Sequence, residues 1–234
     1  MKGLHAVVMA AGDGTRLRPL TERWAKPVLP VDGRPVLATL LRELAAAGFQ
    51  EVTIVTGYLA EQVESLVGDG TGFGLEIRFV RQPERLGSAD AVRRALEGGV
   101  HPSLLVIAAD TVFVPGDIGG AAERWLGSKT AGGLGVRVGG RADQTPVRVD
   151  GELVVELGGP PGRHTAAPLW FLSQELTDRL AGVPGPPFEV ASAVQGALAG
   201  AKEILALELG PTRDLTRPVD VLAHNFPYLL RWEQ

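Results

Sequence analysis

The chain contains no cysteine, so disulfide bonds and thiol nucleophiles are excluded and the redox compartment stays undetermined. It has no excess of positive charge either. The formal net charge is −4, and we therefore expect no general nucleic-acid-binding surface. No apolar run is long enough for a transmembrane helix, and the N-terminus shows no apolar signal region or cleavage site. We expect a cytoplasmic protein with no membrane partner and no nucleic-acid partner.

The first half of the 234-residue chain alternates strand and helix patterns from residue 4 to residue 109. This alternation predicts an α/β fold with a Rossmann-like mixed, mostly parallel sheet sandwiched by helices, in a single domain over 1–234. The predicted strands are 6–10, 51–56, 75–80 and 104–109. The predicted helices are 35–48, 59–67 and 88–96.

Beyond about residue 128 the pattern changes to short strands separated by turns rich in glycine and proline. We predict a more antiparallel half over 129–234. Its predicted strands are 134–138, 147–149, 153–157, 169–172 and 204–209. Its predicted helices are 173–181, 190–199 and 219–232.

A glycine loop follows the first strand and carries the densest chemistry of the chain. Gly12 and Gly14 allow backbone N–H groups to approach an anion closely, and Arg16 and Lys26 add two side-chain cations. Lysine is scarce, with four in the chain, so Lys26 stands out. A dinucleotide fingerprint would need glycine where Leu17 stands, and a P-loop would need Gly-Lys-Ser/Thr. The loop therefore predicts a phosphate site of another kind.

The stretch 9–31 resembles the signature of the sugar-phosphate nucleotidylyltransferases, G-x-G-T-R-L-x-P-L-T followed by K-P-x-L-P-V. The size of the chain is similar to that of the short members. The resemblance implies the fold of the nucleotide-diphospho-sugar transferases, with a nucleotide-binding half over 1–128 and an acceptor-binding half over 129–234. It implies catalytic roles for Arg16 and Lys26. The loop residues that it places at the nucleotide are Ala11, Gly12, Gly14 and Thr15.

The stretch 82–91 is similar to a second family segment, Q-x-x-x-L-G-T-A-x-A. By this resemblance, Gln82 and Gly87 hold the base, and we favour a pyrimidine. An amide can both donate to and accept from a base edge. Ser88 stands where threonine is usual, keeps the hydroxyl and is a further candidate for binding the nucleotide. Its alternative role is a cap for the helix from residue 89 onward, and the two roles are compatible.

Two aspartates are candidates for binding Mg²⁺, the expected cofactor. Asp110 follows an apolar strand, and a carboxylate there suits a hard cation, although a turn or capping role stays open. The stretch 213–225 resembles the family segment D-x-x-T-P-x-D-x-x-x-A-N and implies that Asp214 is the second metal ligand. A structural role for Asp214 stays open.

The acceptor side departs from the family pattern. Relatives carry Glu-Lys-Pro after a strand, whereas this chain has Gly158 and Gly159 before Pro160. Arg148, Arg163 and His164 are candidates for the missing charge. Two further candidates for acceptor binding are Tyr58 and Glu189. A packed tyrosine and an exposed glutamate in a first helical turn are the alternatives.

The resemblance implies a Mg²⁺-dependent enzyme that transfers a nucleoside monophosphate from an NTP, UTP or dTTP by preference, to a sugar 1-phosphate with release of pyrophosphate. Two alternatives stay open: a cytidylyltransferase for a phosphorylated alcohol such as phosphocholine, and a nucleotide-binding regulatory homologue without activity. A homo-oligomer is expected by family analogy alone.

Overall fold

The computed structural model describes residue 1 and residues 3–232, with the backbone alone for 227–232. The strands are β1 (His5–Ala10), β2 (Pro30–Val31), β3 (Arg34–Pro35), β4 (Glu51–Thr56), β5 (Glu76–Arg81), β6 (Leu104–Ala108), β7 (Thr111–Val112), β8 (Gly132–Val138), β9 (Pro146–Asp150), β10 (Leu153–Leu157), β11 (His164–Leu172), β12 (Ile204–Leu209) and β13 (Arg213–Asp214). The α-helices are α1 (Val36–Ala46), α2 (Ala60–Val67), α3 (Ser88–Glu97), α4 (Asp117–Leu126), α5 (Gln174–Arg179), α6 (Val190–Ala199) and α7 (Pro218–Trp232).

Nine strands form one sheet in the order β5-β4-β1-β6-β11-β8-β12-β10-β9. The first four strands in this order, β5, β4, β1 and β6, are parallel to one another. In the second half the β8–β12 pair is parallel and the other pairings are antiparallel. This architecture confirms the predicted α/β fold class and the more antiparallel second half.

Helices cover both faces of the sheet, as predicted. Because side chains alternate along a strand, Ala6 and Val8 of β1 face one core, which includes apolar residues of α1, α2 and α4. Val7 faces the other core, which includes apolar residues of α3, α5 and α6. Each core contains strand residues from both halves of the chain. Phe171 of β11 packs in the same core as Val8, and Leu172 of β11 packs in the same core as Val7.

The sequence analysis missed helix α4, the first part of strand β11 and the two-residue strands β2, β3, β7 and β13. Helix α4 was given no assignment, although Ile118, Ala121, Ala122 and Trp125 are buried at helical spacing. The pair Gly119-Gly120 inside it weakens the sequence signal. Strand β11 begins at residue 164 rather than 169. Pro168 lies in its interior, and the register with β8 shifts between Ala166 and Trp170.

None of the helices in the described part of the chain combines the length and the apolarity needed to cross a bilayer.

Candidate functional site

A cavity of about 640 Å³ lies where the parallel strands β1, β5 and β6 end. Ligands of open α/β sheets bind beyond the carboxyl ends of the strands, so this is the expected position. The sequence-predicted residues that line it are Ala11, Gly12, Gly14, Thr15, Arg16, Lys26, Gln82, Gly87, Ser88, Asp110 and Glu189.

The glycine loop is fixed beneath the cavity by one apolar anchor. Leu17 is fully buried in a small core with Val36 and Leu215. Gly14 adopts a left-handed conformation with φ +61°, and its carbonyl accepts a hydrogen bond of 2.8 Å from Thr21 Oγ1. Gly12 has open space at its Cβ position: apart from Gly12 and its two chain neighbours, no heavy atom lies within 4 Å. The loop is therefore fixed to the protein through Leu17 and Thr21, while the space at the Gly12 Cβ position stays open.

Arg16 and Lys26 lie at the junction of this cavity and a second one. Arg16 is exposed, whereas the Lys26 side chain is 15% exposed and forms an ion pair with Asp110. The second cavity, of about 270 Å³, shares Arg16, Lys26, Asp110 and Thr216 with the first. Two cations and one carboxylate thus stand where ligands in the two cavities would meet.

Gln82 and Gly87 lie together in the lining of the first cavity and not in that of the second. Gln82 is 5% exposed, and its Nε2 donates to the Gly87 carbonyl at 3.0 Å and to Asp90 Oδ2 at 2.8 Å. Gly87 has φ +105°, and a Cβ there would lie 2.2 Å from the carbonyl oxygen of Phe188. A residue with a side chain cannot fit at position 87 without moving the Phe188 backbone.

Ser88 links the two halves of the chain. It is the first residue of α3, and the capping role predicted for its hydroxyl on that helix is wrong. The Ser88 hydroxyl instead donates to Glu189 and accepts from the backbone N–H of Val190 at 2.9 Å. Ser88 therefore caps the start of α6. Glu189 lines the first cavity with part of its carboxylate bound to Ser88.

Asp110 and Asp214 come together through a short pairing of β7 with β13, in which Asp214 lies opposite Thr111. Asp214 Oδ2 accepts from Arg137 at 2.6 Å and from Gln144 at 3.0 Å. Burial raises the pKa of Asp214, but the charge and hydrogen bonds of Arg137 hold it below its ordinary value.

The donor set fits Mg²⁺ through Asp110 first. Mg²⁺ is usually bound by one or two carboxylates plus substrate phosphates, and Asp110 offers a carboxylate in both cavities. Arg137 and Gln144 both occupy Asp214 Oδ2, so the oxygen that Asp214 can offer to a metal is Oδ1, which accepts from Thr212 Oγ1 at 3.0 Å. Within the described residues, no cluster of three or more His, Cys, Asp or Glu side chains is arranged for a metal.

The second cavity contains cations that the sequence analysis missed. Arg137 belongs to β8, its side chain is 8% exposed, and it lines the cavity together with Arg141 and Gln144. Arg141 pairs with Asp143 and Asp220. Strand pairing, rather than a local motif, brings these residues to the site. No sequence signal was available to find them.

Several predicted acceptor residues lie elsewhere. Tyr58 follows β4 and is not among the described residues that line either cavity. Arg163 and His164 line clefts on β9 and β10, and Arg148 pairs there with Glu156. Gly159 lies beside Glu156 in the same region. The structure does not bring the candidates for the missing charge to Lys26 and Asp110.

A family model described as nucleotidyl transferase matches residues 5–136. The chain is 44% identical over 89 residues to a glucose-1-phosphate thymidylyltransferase of Streptomyces griseus, covering 38% of this chain and 25% of that protein. It is 39% identical over 106 residues to an N-acetylmuramate alpha-1-phosphate uridylyltransferase of Neisseria meningitidis, covering 44% and 46%. The alignments thus span about a quarter to a half of these relatives.

The fold is similar to that of a solved UDP-glucose pyrophosphorylase from Acinetobacter baumanii. The TM-score is 0.82 at 20% identity, with 97% of this chain and 93% of that chain covered. At this identity the likeness concerns the fold. Together with the family match it confirms the predicted resemblance.

Proposed function

This chain belongs to the nucleotidyl transferase family, and we propose that it transfers a nucleoside monophosphate from UTP or dTTP to a sugar 1-phosphate and releases pyrophosphate. The observation that carries the proposal is the pair of joined cavities with Arg16, Lys26 and Asp110 at their junction. One cavity has the glycine loop and the amide expected for a nucleotide. The other offers a separate cationic space for an acceptor.

In the proposed reaction the triphosphate lies along the loop 11–16, with its base towards Gln82 and Gly87. An oxygen of the acceptor phosphate attacks the α-phosphorus and forms a new P–O bond. The bond from that phosphorus to the oxygen bridging the α- and β-phosphates breaks, and pyrophosphate leaves with its electron pair. The attacking phosphate is already ionised, so the chain has to position groups and offset charge. Arg16 and Lys26 supply that positive charge.

We propose that Asp110, with Asp214, would hold Mg²⁺ beside the triphosphate. There the ion would offset negative charge on the phosphates. Since Asp110 pairs with Lys26 in this structure, engagement of Asp110 elsewhere would release the lysine ammonium to the phosphates. The positioning of both carboxylates comes from the β7–β13 pairing.

On the acceptor side, we propose that Arg141 and Arg137 take the place of the charged pair that Gly158 and Gly159 lack. Both arginines line the second cavity with Arg16 and Lys26. An arginine fork binds phosphate oxygens at two points, so Arg141 can hold an acceptor phosphate without the family lysine.

The proposal is tested by pyrophosphate release with Mg²⁺ across five NTPs, a panel of sugar 1-phosphates, and phosphocholine. We expect release with one sugar 1-phosphate. Arg16→Ala and Lys26→Ala should each lower turnover by roughly 10²–10³-fold, because each removes a preorganised charge at the transferring phosphate. Matched controls are Arg163→Ala and Lys129→Ala, which remove the same charges outside both cavities. Wild-type turnover in both Arg16→Ala and Lys26→Ala would refute the roles.

The phosphocholine arm addresses the cytidylyltransferase alternative. A choline cage needs several aromatic faces around the cation. Among the described residues lining the second cavity, the one aromatic side chain is Trp170, so we expect no release with phosphocholine. NTP binding without any release would support the regulatory alternative. The cytoplasmic location and the homo-oligomer stay predictions.

A further inference from the structure

A buried carboxylate beside the base end of the first cavity has no part in the proposed reaction. Asp90 lies in the first turn of α3, and its side chain is 4% exposed. Arg93 Nη2 donates to Oδ1 at 3.0 Å, and Arg94 Nε donates to Oδ2 at 2.8 Å. The third donor is Gln82 Nε2, also at 2.8 Å from Oδ2. Asp90 is thus surrounded by donors, of which Gln82 alone lines the cavity.

These contacts determine which way the Gln82 amide points. An amide nitrogen carries two N–H donors, and an ionised carboxylate and a carbonyl oxygen can accept but not donate. Both partners of the Gln82 amide, Asp90 and the Gly87 carbonyl, are acceptors, so the nitrogen must face them. Among the described residues, no donor is bound to Gln82 Oε1. The oxygen is therefore the polar atom of Gln82 left for a ligand.

We propose that Asp90 is a positioning residue that locks the Gln82 amide with its oxygen towards the base, so that the site selects nucleotides whose base carries a ring N–H. The inference rests on the proposed function and narrows its substrate class. An unlocked glutamine could turn over and match either a donor or an acceptor. A locked one accepts a hydrogen bond and offers none.

The surroundings of Asp90 keep it in the acceptor form. Burial raises its pKa, but the hydrogen bonds from Gln82, Arg94 and Arg93 hold the pKa below its ordinary value. Arg93 is in turn held over the Phe188 ring at 5.5 Å from the ring centroid. The two arginines and the position in the first helical turn all favour the carboxylate. The lock therefore persists at neutral pH.

Base chemistry divides the nucleotides into two classes at this oxygen. Uracil and thymine carry a ring N–H at N3, and guanine carries one at N1. Cytosine and adenine have a bare ring nitrogen at those positions, which is an acceptor. An acceptor facing Gln82 Oε1 leaves two acceptors opposed at a side chain that is 5% exposed, and such an unpaired contact is costly.

The first measurement is the affinity of the wild-type protein for single nucleotides, by isothermal titration calorimetry with Mg²⁺ and no acceptor. The preferred nucleotide should be UTP, dTTP or GTP. Its partner of the same ring size, CTP for UTP or ATP for GTP, should bind at least roughly tenfold more weakly. If UTP is preferred, UTP methylated at N3 should bind as weakly as CTP, because the methyl group removes the ring N–H. Preference for CTP or ATP would overturn the inference.

The second measurement tests Asp90 itself. Asp90→Ala removes the charged acceptor and leaves the Gly87 carbonyl alone to orient the Gln82 amide, so the preference between UTP and CTP should fall at least about threefold below the wild-type ratio. Asp90→Asn keeps the shape but loses the charge and one acceptor oxygen, and the ratio should fall in this variant as well. Arg94→Gln is the matched control. It removes a neighbour of Asp90 while Gln82 keeps its partner, and should retain the wild-type ratio even if the melting temperature falls.

An affinity ratio is not altered by a general loss of folded protein, so a merely structural Asp90 would leave it unchanged. A wild-type ratio in folded Asp90→Asn or Asp90→Ala would refute the positioning role. Failure of the proposed function looks different, since no nucleotide would bind to the wild-type protein. Equal binding of all nucleotides would refute this inference while leaving the transferase proposal in place.

Discussion

At the scale of single residues, two glycines of the site are required for opposite reasons. Gly87 is required by the protein, because its φ of +105° and the Phe188 backbone leave no room for a side chain. Gly12 is not required by the protein, because its Cβ position is open. We attribute the glycine at position 12 to the approach of a ligand phosphate to the backbone.

Gly12→Ala should therefore leave the free energy of unfolding within about 0.5 kcal/mol of wild type, as for a change without new contacts. The same variant should bind the preferred NTP at least roughly tenfold more weakly, because the methyl group occupies the phosphate path. Urea denaturation and calorimetric titration measure the two quantities. Unchanged affinity would show that the triphosphate does not pass over Gly12.

Gly87→Ala should give a loss of stability. We expect roughly 2–4 kcal/mol, from backbone strain and a clash with Phe188 together. The contrast between the two variants separates a ligand-facing glycine from a packing glycine, and similar stability losses in both would contradict it.

The sequence predicts which residues share a cavity where those residues lie close together in the chain. Gly12, Arg16 and Lys26 lie within one loop and reach one cavity, so a contiguous pattern could identify them. Arg137 and Arg141 could not be identified, because the pairing of β8 with β11 and β12 decides where they lie. The position of Asp90 against Gln82 likewise depends on how α3 meets the end of β5.

At the scale of elements, internal glycines limit both prediction and stability. Gly120 of α4 and Gly196 of α6 are exposed, and a Cβ at either position would meet no heavy atom within 4 Å. Pro168 had a similar effect on the prediction of β11. Because proline is unusual in the interior of a strand, the first half of β11 was not predicted. Helices with clean apolar spacing, such as α1 and α6, were predicted to within two residues at each end.

Gly120→Ala and Gly196→Ala should each stabilise the fold by about 0.5–1 kcal/mol, because alanine loses less backbone entropy in a helix. Urea denaturation measures the gain. Gly116→Ala is the control, since Gly116 has φ +90° before α4 and also has open space at its Cβ. It should destabilise, and a gain there would contradict the backbone argument.

At the scale of the whole molecule, buried carboxylates link stability to pH. Asp220 lies in the first turn of α7, with its side chain 7% exposed. Burial raises its pKa, but the backbone N–H groups of Arg217 and Thr216 and the charge of Arg141 hold it below its ordinary value. The pKa of Asp90 is lowered as well. Both groups therefore bind protons less readily in the folded chain than in the unfolded one.

Their stabilising contribution should be complete above the unfolded aspartate pKa of about 3.9 and should be lost as the pH falls through the lower folded values. Asp220→Asn should lower the free energy of unfolding by about 1–2 kcal/mol at pH 7, with a smaller difference at pH 3. Urea denaturation across this range is the measurement. The control is Asp150→Asn at an exposed position. A deficit for Asp220→Asn that does not shrink on acidification would contradict the assignment.

The position of β11 has a consequence for anyone trimming the protein. The family match ends at residue 136, yet β6 pairs on one side with β1 and on the other with β11, which begins at residue 164. A fragment cut at the end of the match would present the apolar strand β6 as an open edge, a template for aggregation. It would also lack the wall of the first cavity that Pro187 and Glu189 provide. Because β8 in turn pairs with β12, and β13 carries Asp214, the smallest unit worth expressing extends at least through β13 and Leu215.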